Sequence, residues 1–142
     1  MGEAREVMDR LTASVTGTPD LKALAELFAD DVVAVTPDGD VEGRDNVVEW
    51  WRQMTEAVPE AAFESVNAYE AGDTAIDEGF FSGRNTGPVR LPSGESLPPT
   101  NKDFTIRGVD FATVRDGRIV SYRVYYDQMS FLGQLGLLPE EA

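Results

Sequence analysis

No cysteine and no histidine occur anywhere in the 142 residues. Without cysteine there is neither a disulfide framework nor a thiolate metal site, as expected of a protein kept in a reducing compartment. Without histidine the usual general base near neutral pH and the commonest metal ligand are both missing. Acid–base chemistry then falls to Asp, Glu, Tyr, Lys or Arg. Positive charge is scarce as well: 12 Lys and Arg stand against 26 Asp and Glu, a net charge of −14 with a pI of about 4.2. That balance argues against nucleic acid and anionic membranes as partners. It either aids solubility or reflects a host with acidic proteins. No run is long and apolar enough for a signal peptide or a membrane span, so a cytoplasmic location is expected. No glycine-rich phosphate loop, Ser/His/Asp set or metal-ligand cluster is present. An all-carboxylate Mg or Ca site stays open, but the acidic residues show no EF-hand-like spacing.

What is there suffices for a real core: 42% hydrophobic residues, with two Trp, four Tyr and seven Phe. A single domain over 1–142 is the economical reading. The strongest local signal is the stretch 102–128, two long strands joined at Asp116-Gly117, the dipeptide that best tolerates the positive φ of a type I′ turn. With that two-residue loop, Phe111 pairs with Tyr122, Val109 with Val124 and Arg107 with Tyr126. Alternation then puts Arg107, Val109, Phe111, Tyr122, Val124 and Tyr126 on one face and Asp110, Ala112, Ile119, Arg123, Tyr125 and Asp127 on the other. Both faces are largely apolar. Such a hairpin calls for cover on both sides, by helices or a pocket on one and a partner subunit on the other.

Before it, Val7, Met8, Leu11 and Val15 mark an amphipathic helix over 3–15, and Asp20 is a candidate N-cap for a second over 21–28. A short strand over 32–36, a turn at 37–40 and a third helix over 46–58 follow, the last carrying Trp50, Trp51 and Met54. Adjacent residues diverge by about 100° around a helix, so the two Trp do not face one wall. Strands over 61–71 and 74–83 form a second hairpin. A long irregular loop over 84–102 has the length of a lid or a dimer contact. An apolar tail, 129–138, is expected to dock. The order predicts an α+β domain with helices on one side of a curved antiparallel sheet.

That order, with FADDVVAVTPDGDVEGRDNVVEWW early, DGRIVSYRVYYD late, NTG before the long loop and the tail LGQLGLLPE, resembles the SnoaL-like polyketide cyclases of the nuclear transport factor 2-like superfamily. The resemblance covers nearly the whole chain and carries no catalytic signature. It implies a cone-shaped (cystatin-like) fold: a bent sheet wrapped around a pocket closed by N-terminal helices, often dimeric through the sheet's outer face. The cyclases' Asp lies seven residues after the hairpin Gly, here Val124, which is also the position of an Asp in epoxide hydrolases of the same fold. Their His partner falls near Phe111. The base of ketosteroid isomerases falls on Thr36, and the Tyr of their oxyanion hole near Thr12. These correspondences turn Tyr122, Val124 and Tyr126 toward the pocket and Asp110, Arg123 and Asp127 away from it.

The candidates follow. Asp77 shares a face with Gly79, Phe81 and Gly83, the face where the epoxide hydrolases carry an Arg and an Asp at the Gly79 and Phe81 positions. A carboxylate in an apolar pocket has its pKa raised, which suits proton transfer. Alternatively Asp77 sits solvated near the mouth, or pairs with Arg107. Arg107, Tyr122 and Tyr126 make a possible oxyanion site, or else two core phenols and a snorkelling guanidinium. Asp110 and Arg123 read as an outer-face ion pair, Asp127 as a cap for the tail, and Glu78 as pointing away from Asp77. Trp50, Met54, Phe81, Phe111 and Val124 are candidate ligand contacts, with Asn85 at the pocket rim. The leading expectation is a cofactor-free enzyme that cyclises or isomerises a hydrophobic, polyketide-like ketone. The alternatives are a pocket-bearing binding protein and a hydroxylase or hydrolase variant.

Overall fold

The structure, a computed structural model, describes residues 2–91 and 93–138. Pro139 and Glu140 of the tail motif therefore lie outside the described residues. Helix α1 (Glu3–Val15) buries Val7, Met8, Leu11 and Val15 as the apolar stripe dictates. Its first turn has no side-chain cap of its own. Glu70 supplies one from a distance, accepting from the backbone N–H of Gly2 (2.9 Å) and Arg5 (3.0 Å), a carboxylate placed at the positive end of the helix. Helix α2 (Leu21–Glu26) is capped by Asp20, which accepts from the Ala23 N–H. It stops earlier than the stripe implied, because Phe28 already pairs with Ile119 in a strand.

Strand β1 (Phe28–Thr36) turns at Pro37-Asp38 into β2 (Gly39–Glu42), a strand the sequence reading missed. Gly43, at φ 89°, then opens α3 (Arg44–Ala57), in a backbone region that other residues rarely adopt. Strands β3 (Ala62–Ala71) and β4 (Thr74–Arg84) form the expected second hairpin. The long loop carries a two-rung ribbon of its own, β5 (Val89–Arg90) against β6 (Ser96–Leu97). The last hairpin is β7 (Asp103–Arg115) with β8 (Arg118–Tyr126), turning at Asp116 (φ 53°) and Gly117 (φ 77°) as the dipeptide predicts. Helix α4 (Gln128–Gln134) follows, with Asp127 accepting from the Ser130 N–H as its cap. Phe131 and the C-cap residue Leu135 are buried, so the tail docks.

The six long strands form one curved sheet in the order β2-β1-β8-β7-β4-β3, antiparallel except for the parallel neighbours β1 and β8. All the main helices lie on its concave side. One core cluster gathers α1, α2 and α3 around Phe28, Val32 and Tyr122; a second gathers Val58, Phe104, Ile106, Phe131 and Leu135. The convex side carries exposed Val66, Tyr69 and Tyr125.

One feature of the last hairpin corrects the sequence reading. Arg115 pairs with Arg118 and Val114 with Ile119, but the next pair is Thr113 with Ser121, so Val120 bulges out of the ladder. The extra residue slips every later pair by one. Tyr122 now faces Ala112, Val124 faces Asp110 and Tyr126 faces Gly108. Ile119 and Tyr122 both reach the core as a result, at 0% and 1% exposure. On β7 the inward set becomes Phe104, Ile106, Gly108, Asp110 and Ala112. Arg107, Val109 and Phe111 turn outward with Arg123 and Tyr125.

Candidate active site

Between the concave sheet and the helices lies a cavity of about 80 Å³. Leu11, Thr12, Val15 and Thr16 of α1 wall one side, Trp50, Trp51 and Met54 of α3 another, and Phe131 of α4 closes the end. The floor is the sheet: Phe63, Phe81, Ile106, Asp110, Tyr122, Val124 and Tyr126. Among the described residues Asp110 is the single carboxylate in this lining, which is otherwise aromatic and aliphatic apart from Thr12 and Thr16. Tyr122 donates its hydroxyl to Asp110 across 2.7 Å. Burial pushes the Asp110 carboxyl up to about 7; the charge of Asp77 adds to the effect, while the Tyr122 hydrogen bond and the Arg5 charge oppose it. The Tyr122 hydroxyl is itself pushed well above the ordinary phenol value, by burial first and by Asp110 second. A carboxyl poised near neutrality in an apolar chamber can take a proton from a carbon acid and hand it back.

Asp77 sits directly across the β4–β7 ladder from Asp110, but it does not line the cavity. Arg5 of α1 grips it with two contacts, Nη1 to Oδ1 and Nη2 to Oδ2, both 2.8 Å. Arg5 also holds Asp9 at 2.8 Å. Arg5 and Asp77 are 6% and 5% exposed, so this is a buried ion pair, hydrogen-bonded through Nη2 while Nη1 makes a charge contact alone. Asp77 thus pairs with an arginine, Arg5 rather than Arg107.

Two further donors border the cavity. Tyr126 has no hydrogen-bond partner among the described residues, and burial pushes its hydroxyl up. The buried indole N–H of Trp51 also lacks an acceptor among them. Both tryptophans line the cavity, contrary to the helical-wheel argument. Their rings meet edge to face at 5.0 Å, with Trp50 fixed by its N–H bond to Asp38 (3.1 Å). Thr12 lines the cavity too, although its hydroxyl bonds back to the Met8 carbonyl. Met54, Phe81 and Val124 lie where the sequence reading put them.

Three candidates stand elsewhere. Arg107 is exposed on the convex face, with its guanidinium over the Phe80 ring at 5.1 Å. Phe111 packs edge to face on Tyr125, also outside. Both are displaced by the Val120 bulge. Asn85 is fully buried, but its amide donates to the Ala57 and Gly87 carbonyls and its oxygen accepts from the Thr100 N–H and hydroxyl. It therefore ties the base of the long loop and does not touch the cavity. The Asp110–Arg123 ion pair is absent for the same reason as Arg107 is outside: Arg123 lies across from Phe111. Glu78 points away from Asp77, as expected, and accepts from Asn67 at 2.8 Å.

Sequence reasoning missed Asp110 and Arg5. Arg5 left a signal: it shares a helical face with Met8, Thr12 and Val15, an arginine on an apolar stripe. Among the described residues no group of three or more acidic side chains comes together as metal ligands.

A curved sheet closed by helices over an apolar cavity with one inward carboxylate defines an architecture, and comparison with known proteins gives it a family. The sequence model of the SnoaL-like domain matches residues 5–122, and the chain belongs to that family. No curated protein matches the sequence. Among solved structures it is similar to a hypothetical protein of ketosteroid isomerase-like fold from Catenulispora acidiphila, in complex with trimethylamine: 26% identity, TM-score 0.74, 94% of each chain covered. A provisionally assigned SnoaL-like polyketide cyclase from a Jannaschia species superposes with a TM-score of 0.83 at 19% identity, covering 96% of this chain and 94% of that one. IdmH of Streptomyces antibioticus, provisionally a polyketide cyclase, gives 0.75 at 24% identity over 95% and 99%. Identities this low carry the fold and not the reaction. No described helix is long and apolar enough to cross a membrane.

Proposed function

We propose that the protein is a cofactor-free enzyme that moves a proton at the carbon beside a ketone, in a cyclisation or an isomerisation. The observation that carries this reading is Asp110, a carboxyl raised to about 7 in an apolar cavity, with one hydrogen bond from Tyr122. Ionised Asp110 takes the α-proton and becomes a neutral acid, and the carbonyl becomes an enolate. The enolate then either attacks a second carbonyl in the same molecule, closing a ring and leaving an alkoxide that takes the proton from Asp110, or takes that proton back itself at another carbon. Tyr126 and the Trp51 N–H, without partners among the described residues, are the donors for the enolate oxygen, a service worth most where water is excluded. The structural relatives provisionally assigned as polyketide cyclases support the substrate class. A homodimer through the convex face, where Val66, Tyr69 and Tyr125 are exposed, and a cytoplasmic location belong to the same reading.

The test is hydrogen–deuterium exchange at the α-carbons of cyclopentanone in D₂O, followed by NMR. The protein accelerates exchange and the Asp110→Asn variant does not. Equal rates for the two would remove Asp110 from the chemistry.

A second reading is a binding protein for a small organic cation. Aromatic rings surrounding one carboxylate are the lining that such a cation selects, and the Catenulispora relative holds trimethylamine. Titration with trimethylammonium separates the two. Tight binding that lowers the Asp110 pKa, without exchange activity, favours the binding protein.

A further inference from the structure

The cavity that holds Asp110 is not alone. A second chamber of about 240 Å³ opens beside it, lined by Pro37 and Asp38 of the β1–β2 turn, Val89, Arg90 and Leu91 of the long loop, and Leu132 of α4. The two chambers share Trp50, Met54, Tyr126 and Phe131, so these four residues stand between them. One of the four is a methionine, unbranched and easily moved between rotamers.

The sizes are unequal. A water-sized sphere occupies roughly 10–15 Å³ of such space, so the inner chamber has room for roughly half a dozen heavy atoms. The outer chamber has three times the volume. Their chemistry differs too. The outer one adds Arg90, Gln53, Gln128 and Asp38 to an apolar floor. Its polar groups are occupied by exchangeable surface partners: Arg90 on Glu56 (3.1 Å), Gln53 on Glu49 (3.0 Å) and Gln128 on Asp38.

We propose that the outer chamber is a binding subsite for the unreactive remainder of the same ligand, which passes between Met54 and Tyr126. The substrate is then an extended ketone: a short reactive end at Asp110, an aliphatic or partly oxygenated chain outside, and not a compact ring system. This rests on the inner cavity being the ketone site. Val89, Arg90 and Leu91 roof the subsite, and the base of the loop that carries them is fixed by the buried Asn85. Chain length is therefore read by a loop that is itself remote from the reacting carbon.

The test is a series of 2-alkanones, from 2-butanone to 2-dodecanone, titrated against the protein while the indole N–H NMR signals of Trp51 (inner chamber) and Trp50 (partition) are followed. Affinity is expected to rise about fourfold per added methylene, the usual increment for burying one, and to keep rising well past the length that fills the inner chamber. Filling the outer chamber, with Leu91→Trp and separately Leu132→Trp, should cut the affinity for 2-decanone at least tenfold, with the loss confined to the long ketones. The second variant guards against misfolding of the first. If short ketones bind but affinity stops rising near 2-pentanone, or if both variants bind 2-decanone as the parent does, the subsite is overturned alone. If no ketone of any length shifts Trp51, the ketone reading of the inner cavity falls and the subsite with it.

Discussion

Tyr122 reaches diagonally across the last hairpin and gives its hydroxyl hydrogen to Asp110, 2.7 Å away. The two are not opposite each other: Tyr122 faces Ala112 and Asp110 faces Val124. They share a face only because Val120 is bulged out. The bulge therefore creates the site, by bringing a carboxylate to the concave side at the rung of Val124.

Replacing Tyr122 by Phe removes a hydrogen bond that favours the charged carboxylate. A hydrogen bond to a charged group is worth about 1.5–3 kcal/mol, and 1.36 kcal/mol corresponds to one pH unit. Asp110 in Tyr122→Phe should titrate at least about one pH unit above its parent value of about 7. Carbon-13 NMR of labelled aspartate checks this, as does the midpoint of the α-exchange rate against pH. An unmoved midpoint would mean that the bond does not exist in solution.

Asp110 also governs stability. Its carboxyl holds a proton up to about 7 in the fold, against an ordinary value of 3.8. Between those values the folded chain binds more protons than the unfolded one, so the unfolding free energy falls as pH rises through that window and is flat on either side. The effective dielectric of real protein interiors, well above that of a dry apolar medium, trims the effect to about 2 kcal/mol. Asp110→Asn should match the parent below pH 4 and exceed it by about 2 kcal/mol at pH 8. Paired urea denaturation curves at the two pH values decide it, and the difference cancels the titration of the other acidic groups.

How much of this was legible in the residues is clearest on β8. Asp116-Gly117 announced the turn, and both residues adopt the positive φ their chemistry allows. The inward set Tyr122, Val124 and Tyr126 followed from alternation with the family resemblance, and it holds. The bulge had no glycine to mark it. Its trace was the odd spacing of Ile119 and Tyr122, which no unbroken strand can bury on one face. Missing it by one residue turned Arg107 and Phe111 inward and Asp110 outward. The parallel pairing of β1 with β8 joins segments some ninety residues apart, and no local pattern encodes it. Asn85 was singled out, but a polar residue that serves the pocket and one that serves the loop backbone look alike until the carbonyls of Ala57 and Gly87 are in place.

The Arg5–Asp77 pair yields a prediction of opposite kinds for one change and for two. Arg5→Met strands the Asp77 carboxylate under α1 and should cost about 3–5 kcal/mol, the usual loss when one partner of a buried pair is removed. Adding Asp77→Leu removes the stranded charge, and the double variant should recover most of that loss. Urea denaturation of the two variants measures it. Asp77→Asn alone should also lower the Asp110 midpoint, because the charge of Asp77 is one of the influences holding it up.

On the proposed mechanism, Tyr126 and Trp51 separate oxygen binding from proton transfer. Neither touches Asp110 by a hydrogen bond, so a change at either leaves the base intact. An enolate oxygen gains far more from a donor than a ketone oxygen does, because charge develops there only as the α-proton leaves. Tyr126→Phe should therefore slow α-exchange by about tenfold to a hundredfold, with little change in the ketone concentration needed for half-saturation. The pH midpoint set by Asp110 should stay where it is. Trp51→Phe should act in the same way if its N–H reaches the same oxygen, and the double variant should then lose less than the product of the two single losses. A shifted pH midpoint in Tyr126→Phe would instead place Tyr126 beside the base. In that case its hydroxyl would be tuning Asp110 alongside Tyr122, and the enolate oxygen would have to be held by Trp51 alone.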